Sequence, residues 1–268
     1  MKTLTPSNLY KFGAALLIVC ASFLLLTPAS VQGADGLTIM SYNVRNGRGL
    51  DDVRDLSRAP AIILAEGADV VAIQELDQKT KRSEGVDVLE EYAKQTKMYP
   101  SYGPAIDYQG GKYGVGILTK EKPIKFEYFP LPGTEEQRCL LVVELEKFVF
   151  CCSHWSLTKA DRAKTVGIVT AKMKECKKPV VICGDFNAEL DEDSIKELDK
   201  DWTRLNSDEL TFPADEPTVH IDYICGADPT GKRSAEDWKN AVVETHVVPE
   251  KVASDHRPVV VTLKPDFL

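Results

Sequence analysis

Short apolar runs, rather than long periodic stretches, organise most of this 268-residue chain. Residues 180–183 are typical of a short, fully buried strand, and Gly184, Asp185 and Asn187 come directly after it. If the extended backbone continues to Asn187, its side chain and that of Asp185 lie on one face of the strand end. A carboxylate and a carboxamide placed together offer the oxygen ligands that Mg²⁺ prefers. The same residue types also suit an Asx turn, so this stretch alone leaves both interpretations open.

Similar patterns predict the remaining elements, and their order favours an α/β fold. The chain has mostly strands with a few helices between them, which two packed mixed sheets with helices outside would bury. Ser57 and Thr158 are predicted helix N-caps, with Asp161 as a capping-box acid. Phe126 and Tyr128 alternate as in a half-buried strand, so we expect them in the core. Strands are predicted at 37–44, 69–73, 113–119, 124–131, 138–145, 148–153, 221–225, 241–247 and 258–263, and helices at 57–67, 83–98, 158–176 and 191–198.

The first 33 residues have the layout of a secretory signal peptide. Lys2 and Lys11 precede an apolar run at 12–26, and small residues lie at the predicted cleavage site before Ala34. The mature chain, 34–268, is then one domain that is secreted or periplasmic. A retained anchor, or a lipid attached to Cys20, is the alternative.

Composition narrows the classes of partner. The formal net charge is −8, and the lysines that leave with the signal peptide make the mature chain more acidic. Such a surface does not favour strong non-specific binding to nucleic acid, which depends on Lys and Arg. The six remaining cysteines lie mostly in apolar runs, so we expect mostly free thiols.

Polar residues of the types that bind metals and transfer protons follow several predicted buried strands. Strand ends are often exposed to solvent and could carry polar residues for that reason alone. Lys, Ser and Thr would then be as frequent there as Asp, Asn and His. The repeated selection indicates a shared site at one edge of the sheets. The residues concerned are Asn43, Glu75, His154, Asp222, Asp255 and His256.

The order of these motifs resembles the endonuclease/exonuclease/phosphatase superfamily, over essentially the whole mature chain. The resemblance implies a four-layer α/β sandwich, with two mixed, mostly antiparallel sheets face to face, helices outside and the site at one end. The motifs are Ser41-Tyr42-Asn43-Val44, Gln74-Glu75, Tyr113-Gly114, Ser153-His154, Gly184-Asp185-Phe186-Asn187, Ile221-Asp222-Tyr223 and Ser254-Asp255-His256.

The resemblance also implies a metal site and a water-activating group. Glu75, assisted by Asn43, would be the principal metal-binding pair for Mg²⁺ or Mn²⁺, and Asp255 a further metal-site acid. Asp185 would orient or deprotonate the attacking water. Asn187 would hold a phosphate oxygen or a second metal.

The remaining family positions concern the phosphate. His256 would contact the scissile phosphate, with Asp222 fixing its tautomer and raising its basicity. His154 would bind phosphate or serve the leaving group. Tyr113 belongs to a family motif and is a candidate substrate contact, and Arg138 could steer a phosphate, although surface arginines are common.

Two departures from the family pattern concern substrate contacts. His220 stands where many relatives carry Arg, and Val115 stands where many carry Asn. We expect both positions to face substrate.

The sequence therefore predicts a secreted, divalent-metal-dependent phosphoesterase. A nuclease acting on nucleic acid and a catalytically inactive module that recognises phosphate are the alternatives. The substrate could be a sugar or inositol phosphate, a lipid headgroup or nucleic acid. No stable protein partner is inferred, and a monomer is expected.

Overall fold

The structure is a computed structural model that describes residues 36–268. The predicted signal peptide lies outside the described residues. The strands are β1 (Leu37–Asn43), β2 (Val70–Gln78), β3 (Tyr99–Tyr108), β4 (Gly111–Thr119), β5 (Lys125–Leu131), β6 (Arg138–Glu144), β7 (Val149–His154), β8 (Val180–Asp185), β9 (Thr203–Arg204), β10 (Asp222–Ala227), β11 (Val242–Val247) and β12 (Val259–Leu263). The helices are α1 (Arg58–Ala65), α2 (Val88–Thr96), α3 (Lys159–Glu175), α4 (Asp193–Leu198) and α5 (Ala235–Ala241), with a 3-10 turn at Arg45–Gly47.

The strands form two six-stranded sheets. The first has the order β11-β12-β1-β2-β4-β3, and the second has the order β5-β6-β7-β8-β10-β9. Only the β1–β2 and β7–β8 pairs are parallel, one in each sheet. The predicted mixed and mostly antiparallel sheets are thus confirmed.

Three apolar layers hold the sheets and helices together. The central layer lies between the two sheets and includes Phe150, Ile224 and Val261. A second layer packs α3 and α4 on the second sheet, and a third packs α1 and α2 on the first sheet. Helices outside two facing sheets make the four-layer α/β sandwich that the sequence predicts. Burial of this apolar surface is the main stabilising contribution to such a fold.

All six cysteines of the described chain are free thiols, and five of them are buried. Burial raises the pKa of the Cys225 thiol well above its usual range, which keeps it protonated and unreactive. No helix within residues 36–268 is long and apolar enough to cross a membrane.

The predicted helix at 83–98 is too long, and the strand β3 that follows it was not predicted. Helix α2 begins only at Val88, after the N-cap Asp87, whose side chain accepts a hydrogen bond from the Glu90 amide. The preceding turn folds back because Arg82 binds the buried Asp77 through two hydrogen bonds, of 2.7 and 2.8 Å. This ion pair, between residues five apart in sequence, holds the preceding segment in a turn, so the helix begins later than the pattern predicts.

The predicted capping box at Thr158 is also wrong. Thr158 is the N-cap of α3 but makes no capping bond, and Asp161 instead accepts hydrogen bonds from the backbone and hydroxyl of Thr134. A capping box does occur at the same spacing in α5, where Ser234 and Asp237 bond reciprocally.

The expectation that Phe126 and Tyr128 lie in the core is wrong as well. They are 49 and 51 % exposed. They point toward the inter-sheet side, but β5 is an edge strand and the first sheet does not cover it fully.

Candidate active site

Strand register brings the polar strand ends together. In the parallel β7–β8 pair, His154 is the partner of Asp185, and in the antiparallel β8–β10 pair, Asp222 is the partner of Asp185. Asn43 ends β1 beside Gln74 of β2 in the other sheet. Because both parallel pairs deliver their carboxyl ends to the same region, residues distant in sequence converge there.

Close packing, rather than a turn, explains the glycine before Asp185. Gly184 lies inside β8, and a Cβ at this position would be 1.9 Å from the Ser153 carbonyl oxygen. A larger residue would push β7 and β8 apart and displace the strand end that carries the carboxylate.

The Asp185 carboxylate is the centre of the cluster. Its Oδ2 lies 3.2 Å from Asn43 Nδ2, 3.3 Å from His154 Nε2 and 3.5 Å from His256 Nε2. Burial raises the pKa of Asp185, but His256 and His154 lower it more, to well below its usual range. A carboxylate held ionised in this way is a weak base, so it is better suited to orient a water molecule than to remove its proton.

The other oxygen of Asp185 forms the Asx turn that was the alternative interpretation of this stretch. Oδ1 accepts a hydrogen bond of 2.9 Å from the Asn187 amide. Asn187 adopts a left-handed conformation, with φ of 49°, and its side-chain amide donates to the Trp155 carbonyl at 3.0 Å. One oxygen of the Asp185 carboxylate therefore forms the turn, and the other faces the cluster.

His256 and Asp222 form a buried acid–imidazole pair. His256 Nδ1 donates to Asp222 Oδ2 at 2.9 Å, which leaves Nε2 directed toward Asp185. Burial lowers the pKa of His256, but Asp222 and Asp185 raise it more, to about 10. The imidazole is thus a cation at neutral pH, able to donate a hydrogen bond to an anionic ligand.

Glu75 occupies an irregularity in β2. The β2–β4 register shifts between Ile73 and Leu76, and Glu75 has φ of 62°. Non-glycine residues with positive φ are uncommon and are enriched at functional sites. The bulge presents the half-buried carboxylate to Asn43 Nδ2, 3.0 Å from Oε1.

Asp255 completes this side of the site. Burial raises the pKa of Asp255, and Glu75 raises it further. These two effects outweigh the lowering of this pKa by nearby His256. Arg45 Nε lies 3.5 Å from Asp255 Oδ2, and the Ser254 hydroxyl donates to the Asn43 carbonyl at 2.7 Å. Two carboxylates close enough to repel each other form an electrostatic environment that a divalent cation would stabilise.

A second set of possible ligand atoms lies deeper. Atoms of Asp185, Asp222 and His256 all lie within 4.8 Å of one another, close enough to hold a metal ion. The His256–Asp222 hydrogen bond already uses Nδ1, while Asp222 Oδ1 is buried without a partner within the described residues. An ion bound here would need the neutral form of His256, with Nε2 as the ligand, although Asp222 and Asp185 raise the pKa of this imidazole to about 10; the acids Glu75 and Asp255 therefore fit a hard cation better.

Tyr113 and Arg138 line a small cavity together with His154. The Arg138 guanidinium is buried and pairs with Glu135 at 3.0 Å and Glu136 at 3.2 Å. Its charge is thus largely balanced within the protein. Tyr113 is half-buried, and the Arg82 guanidinium lies over its ring, 5.2 Å from the centroid.

The expectation that His220 and Val115 face substrate is wrong. His220 is 3 % exposed, and its Nδ1 bonds the Glu209 carbonyl at 2.7 Å. Val115 belongs to the central layer between the sheets. Strand β4 turns Val115 inward, and the hydrogen bond to Glu209 holds the His220 side chain inward just before β10.

Two residues near the site were not singled out by the sequence. Arg45 lies two positions after Asn43, in a turn where three successive residues have positive φ, and this proximity could have drawn attention to it. Phe212 packs its ring against the His256 imidazole, with centroids 4.7 Å apart, although it belongs to an irregular loop with no sequence pattern.

An aromatic stack supports the site from beneath. Phe186 stacks on Trp155 with centroids 3.9 Å apart, and on Tyr223 with centroids 5.1 Å apart. Phe186 directly follows Asp185, and Tyr223 directly follows Asp222. The stack therefore fixes the backbone that carries both carboxylates.

Solved structures with the same fold come from several organisms. An endonuclease/exonuclease/phosphatase from Beutenbergia cavernae is 19 % identical, with a TM-score of 0.68, over 87 % of this chain and 72 % of that one. A mannosyl-6-phosphatase from Bacteroides thetaiotaomicron is 18 % identical, with a TM-score of 0.63, over 84 % of this chain and 98 % of that one. The human Nocturnin catalytic domain, with a bound sulfate anion, is 16 % identical, with a TM-score of 0.61, over 86 % of this chain and 94 % of that one.

No curated protein matches the chain. The family model of the endonuclease/exonuclease/phosphatase family matches residues 40–256, which contain all the predicted site residues. The chain therefore belongs to the endonuclease/exonuclease/phosphatase family.

Proposed function

We propose that this chain is a divalent-metal-dependent phosphoesterase in which water attacks the phosphorus of a small phosphate ester. Its family consists of hydrolases that act on phosphoester bonds. The observation that carries the proposal is the position of Asp185 Oδ2 within 3.5 Å of His154, His256 and Asn43. Inactive relatives would be expected to lack part of this cluster, and here it is complete.

The donor set suits Mg²⁺ or Mn²⁺. Glu75 and Asp255 would hold the ion, while Asn43 links Glu75 to Asp185 through two amide hydrogen bonds. Hard oxygen ligands favour these ions over Zn²⁺, which prefers nitrogen and sulfur. The bound ion would neutralise phosphate charge and stabilise the charge that develops during attack.

The protein's own groups then have separate roles. His256, cationic through its pair with Asp222, donates a hydrogen bond to a phosphate oxygen from Nε2. Asp185 accepts a hydrogen bond from the attacking water and aligns it with phosphorus. His154 lies on the other side of Asp185, where it can bind phosphate or protonate the leaving oxygen. Asn187, held by the turn, would bind a phosphate oxygen through the Nδ2 hydrogen that its bond to the Trp155 carbonyl leaves free.

We propose a sugar phosphate or similar small ester as the substrate class. The acidic chain is poorly suited to bind polymeric nucleic acid, whose affinity depends on phosphate neutralisation by basic residues. One structural neighbour is a mannosyl-6-phosphatase. That neighbour supports the fold alone, so the substrate class needs a direct test.

The test is a substrate panel after exhaustive chelation and metal restoration. Sugar phosphates, inositol phosphates, a phosphodiester, plasmid DNA and sphingomyelin would each be incubated with no ion, Mg²⁺, Mn²⁺ or Zn²⁺. We expect turnover of a small ester that requires Mg²⁺ or Mn²⁺ and is poorly supported by Zn²⁺. Full activity in chelator would refute metal dependence. Cleavage of plasmid DNA alone would assign the nuclease instead, and binding without turnover would assign the inactive module.

We also propose that residues 1–33 direct export. The support is the charge and apolar pattern of this segment. In a bacterial host, the exported protein should begin at Ala34 by N-terminal sequencing. Intact protein that stays in the cytoplasm, with its first residues attached, would refute export.

A further inference from the structure

Strand β5 is an edge strand that carries an unusual row of exposed apolar side chains. Ile124, just before the strand, is 60 % exposed, and Phe126 and Tyr128 are 49 and 51 % exposed. Because side chains alternate along a strand, Phe126 and Tyr128 lie on one face, and Ile124 precedes them at the same two-residue spacing. Large apolar side chains gathered in this way commonly mark an interaction surface.

This row continues the apolar layer between the sheets. Phe126 is the cross-strand partner of Val143 in β6, and Tyr128 is the partner of Leu141. Val143 and Leu141 both belong to the central core. The apolar face of the second sheet thus extends past the last covered strand, where further apolar surface could pack against it.

The opposite face of the same segment carries charges of both signs. The side chains of Lys125 and Glu127 are 60 and 57 % exposed. Edge strands are commonly protected from pairing by charged side chains, especially lysine, or by proline. Here a basic and an acidic residue alternate, and Pro130 lies beyond the segment, near the end of the strand.

The segment 124–128 is complementary to an antiparallel copy of itself. With Phe126 opposite its own copy, Lys125 faces Glu127 and Ile124 faces Tyr128, each pair occurring twice. Residues directly opposite in an antiparallel pair share a face, so apolar residues meet apolar residues and opposite charges meet. Such self-complementarity is the requirement for a two-fold symmetric interface.

We propose that two copies of this chain pair through β5 to form a symmetric dimer, in which the two six-stranded second sheets become one continuous sheet. The paired segments would exchange about four to six backbone hydrogen bonds. The partner's apolar row would extend the face that the first sheet leaves uncovered. The proposal replaces the monomer expected from the sequence and is independent of the catalytic function.

Charge reversal on the segment tests both the dimer and its register. Sedimentation equilibrium of the purified wild-type protein should show dimers. Lys125→Glu and Glu127→Lys, each alone, place like charges opposite each other twice and should weaken dimerisation about tenfold or more. An equimolar mixture of the two variants should recover a heterodimer, because each acidic side chain of one chain then faces a basic side chain of the other. The double variant in one chain should recover the homodimer, since the two charges have simply exchanged places.

The controls separate register from general charge effects. Lys232→Glu makes the same change of net charge as Lys125→Glu at an exposed position outside the segment, and it should leave dimerisation unchanged. Circular dichroism should show every variant folded, since these are surface side chains. A wild-type protein that is monomeric up to about 0.1 mM would overturn the proposal. A dimer that either single reversal leaves intact, or that mixing does not restore, would overturn it equally.

Discussion

The two sheets contribute halves of the candidate site that differ in how their charges are balanced. The second sheet supplies Asp185 and Asp222, each 1 % exposed, and these acids contact imidazoles at 2.9 to 3.5 Å. Beside the first sheet, Glu75 and Asp255 are more exposed, and their one ion pair within the described residues is that of Asp255 with Arg45, at 3.5 Å. The charges of Asp185 and Asp222 are thus balanced by imidazoles of the protein, whereas Glu75 and Asp255 retain negative charge that a metal ion would balance.

This difference has a functional meaning. A phosphoesterase needs fixed groups that recognise phosphate and water, and it needs a cation that the substrate can meet at the surface. Preorganised buried groups act without reorganisation during the reaction. Partly exposed acids can exchange an ion with solvent. We therefore expect changes in the two halves to have different kinetic consequences.

The largest expected effect comes from changes in the half of the site formed by Asp185, Asp222 and their imidazole partners, here called the organised half. His256→Ala and Asp185→Asn should each lower kcat about 10²–10³-fold at saturating Mg²⁺, because each removes a preorganised group at the reacting phosphate. Steady-state kinetics on the substrate found by the panel would measure the loss, with circular dichroism to check the fold.

A matched control uses the half-buried histidine of β11. His246 pairs with Glu66 at 2.9 Å away from the candidate site, and His246→Ala should leave kcat unchanged. If His256→Ala and Asp185→Asn proteins were folded and fully active, the organised half would have only a structural role. The catalytic roles assigned to His256 and Asp185 would then be refuted.

The next largest effect concerns the half of the site formed by Glu75 and Asp255. Glu75→Gln should raise the Mg²⁺ concentration for half-maximal activity at least ~10-fold, because changes of residues behind a ligand already weaken metal affinity about 10–100-fold. Activity should recover at high Mg²⁺, unlike that of Asp185→Asn. A Mg²⁺ titration of both variants would separate the halves. Glu66→Gln, a surface change of the same kind, should not shift the titration.

A smaller effect is expected from the ring that packs on His256. Phe212→Ala should lower kcat about 2- to 10-fold with little change in KM, because an aromatic contact of this kind contributes about 0.5–1.5 kcal/mol. Phe212→Tyr keeps the ring and should restore most of kcat. A rise in KM alone, with kcat unchanged, would show that the ring binds substrate rather than positioning the imidazole.

The sequence predicted the site better than it predicted the local elements around it. Asn43 and Asp185 meet because buried strands of the two facing sheets end in polar residues at the same end of the sandwich, and His256 lies there just before β12. Apolar runs followed by polar residues are visible in the sequence itself. Such patterns do not show the ion pair between Arg82 and Asp77 that shortens α2, or the bonds of Thr134 that occupy Asp161.

Substrate contacts were the weakest predictions for a related reason. Whether a residue next to a motif faces substrate depends on its tertiary contacts, and the side chains of His220 and Val115 are both buried. The ring of Phe212 reaches His256 from an irregular loop, which no periodicity could place. The exposed face of β5 likewise depends on which strands end at the sheet edge.

The smallest expected effect concerns the loop beside the organised half. Glu135 accepts hydrogen bonds from Ser156 at 2.7 Å, Leu157 at 2.8 Å and Thr158 at 3.2 Å, and it pairs with Arg138 at 3.0 Å. Burial raises the pKa of Glu135, but these hydrogen bonds lower it more, to about 2. Glu135 thereby fixes the residues that follow the strand end of His154.

A pKa that is lower in the folded protein gives a defined pH dependence. The contribution of Glu135 to stability is fully present above its unfolded pKa, near 4.5, and is lost as the pH falls toward 2. Glu135→Gln should therefore lower the melting temperature at pH 7 by a few degrees, and the difference from wild type should shrink below about pH 4.5. Melting curves of both proteins between about pH 3 and 7 would show this, with Glu216→Gln, an exposed glutamate in another loop, as the control. A difference that stays constant across this range would mean that the carboxylate charge contributes nothing and that Glu135 acts only through its shape.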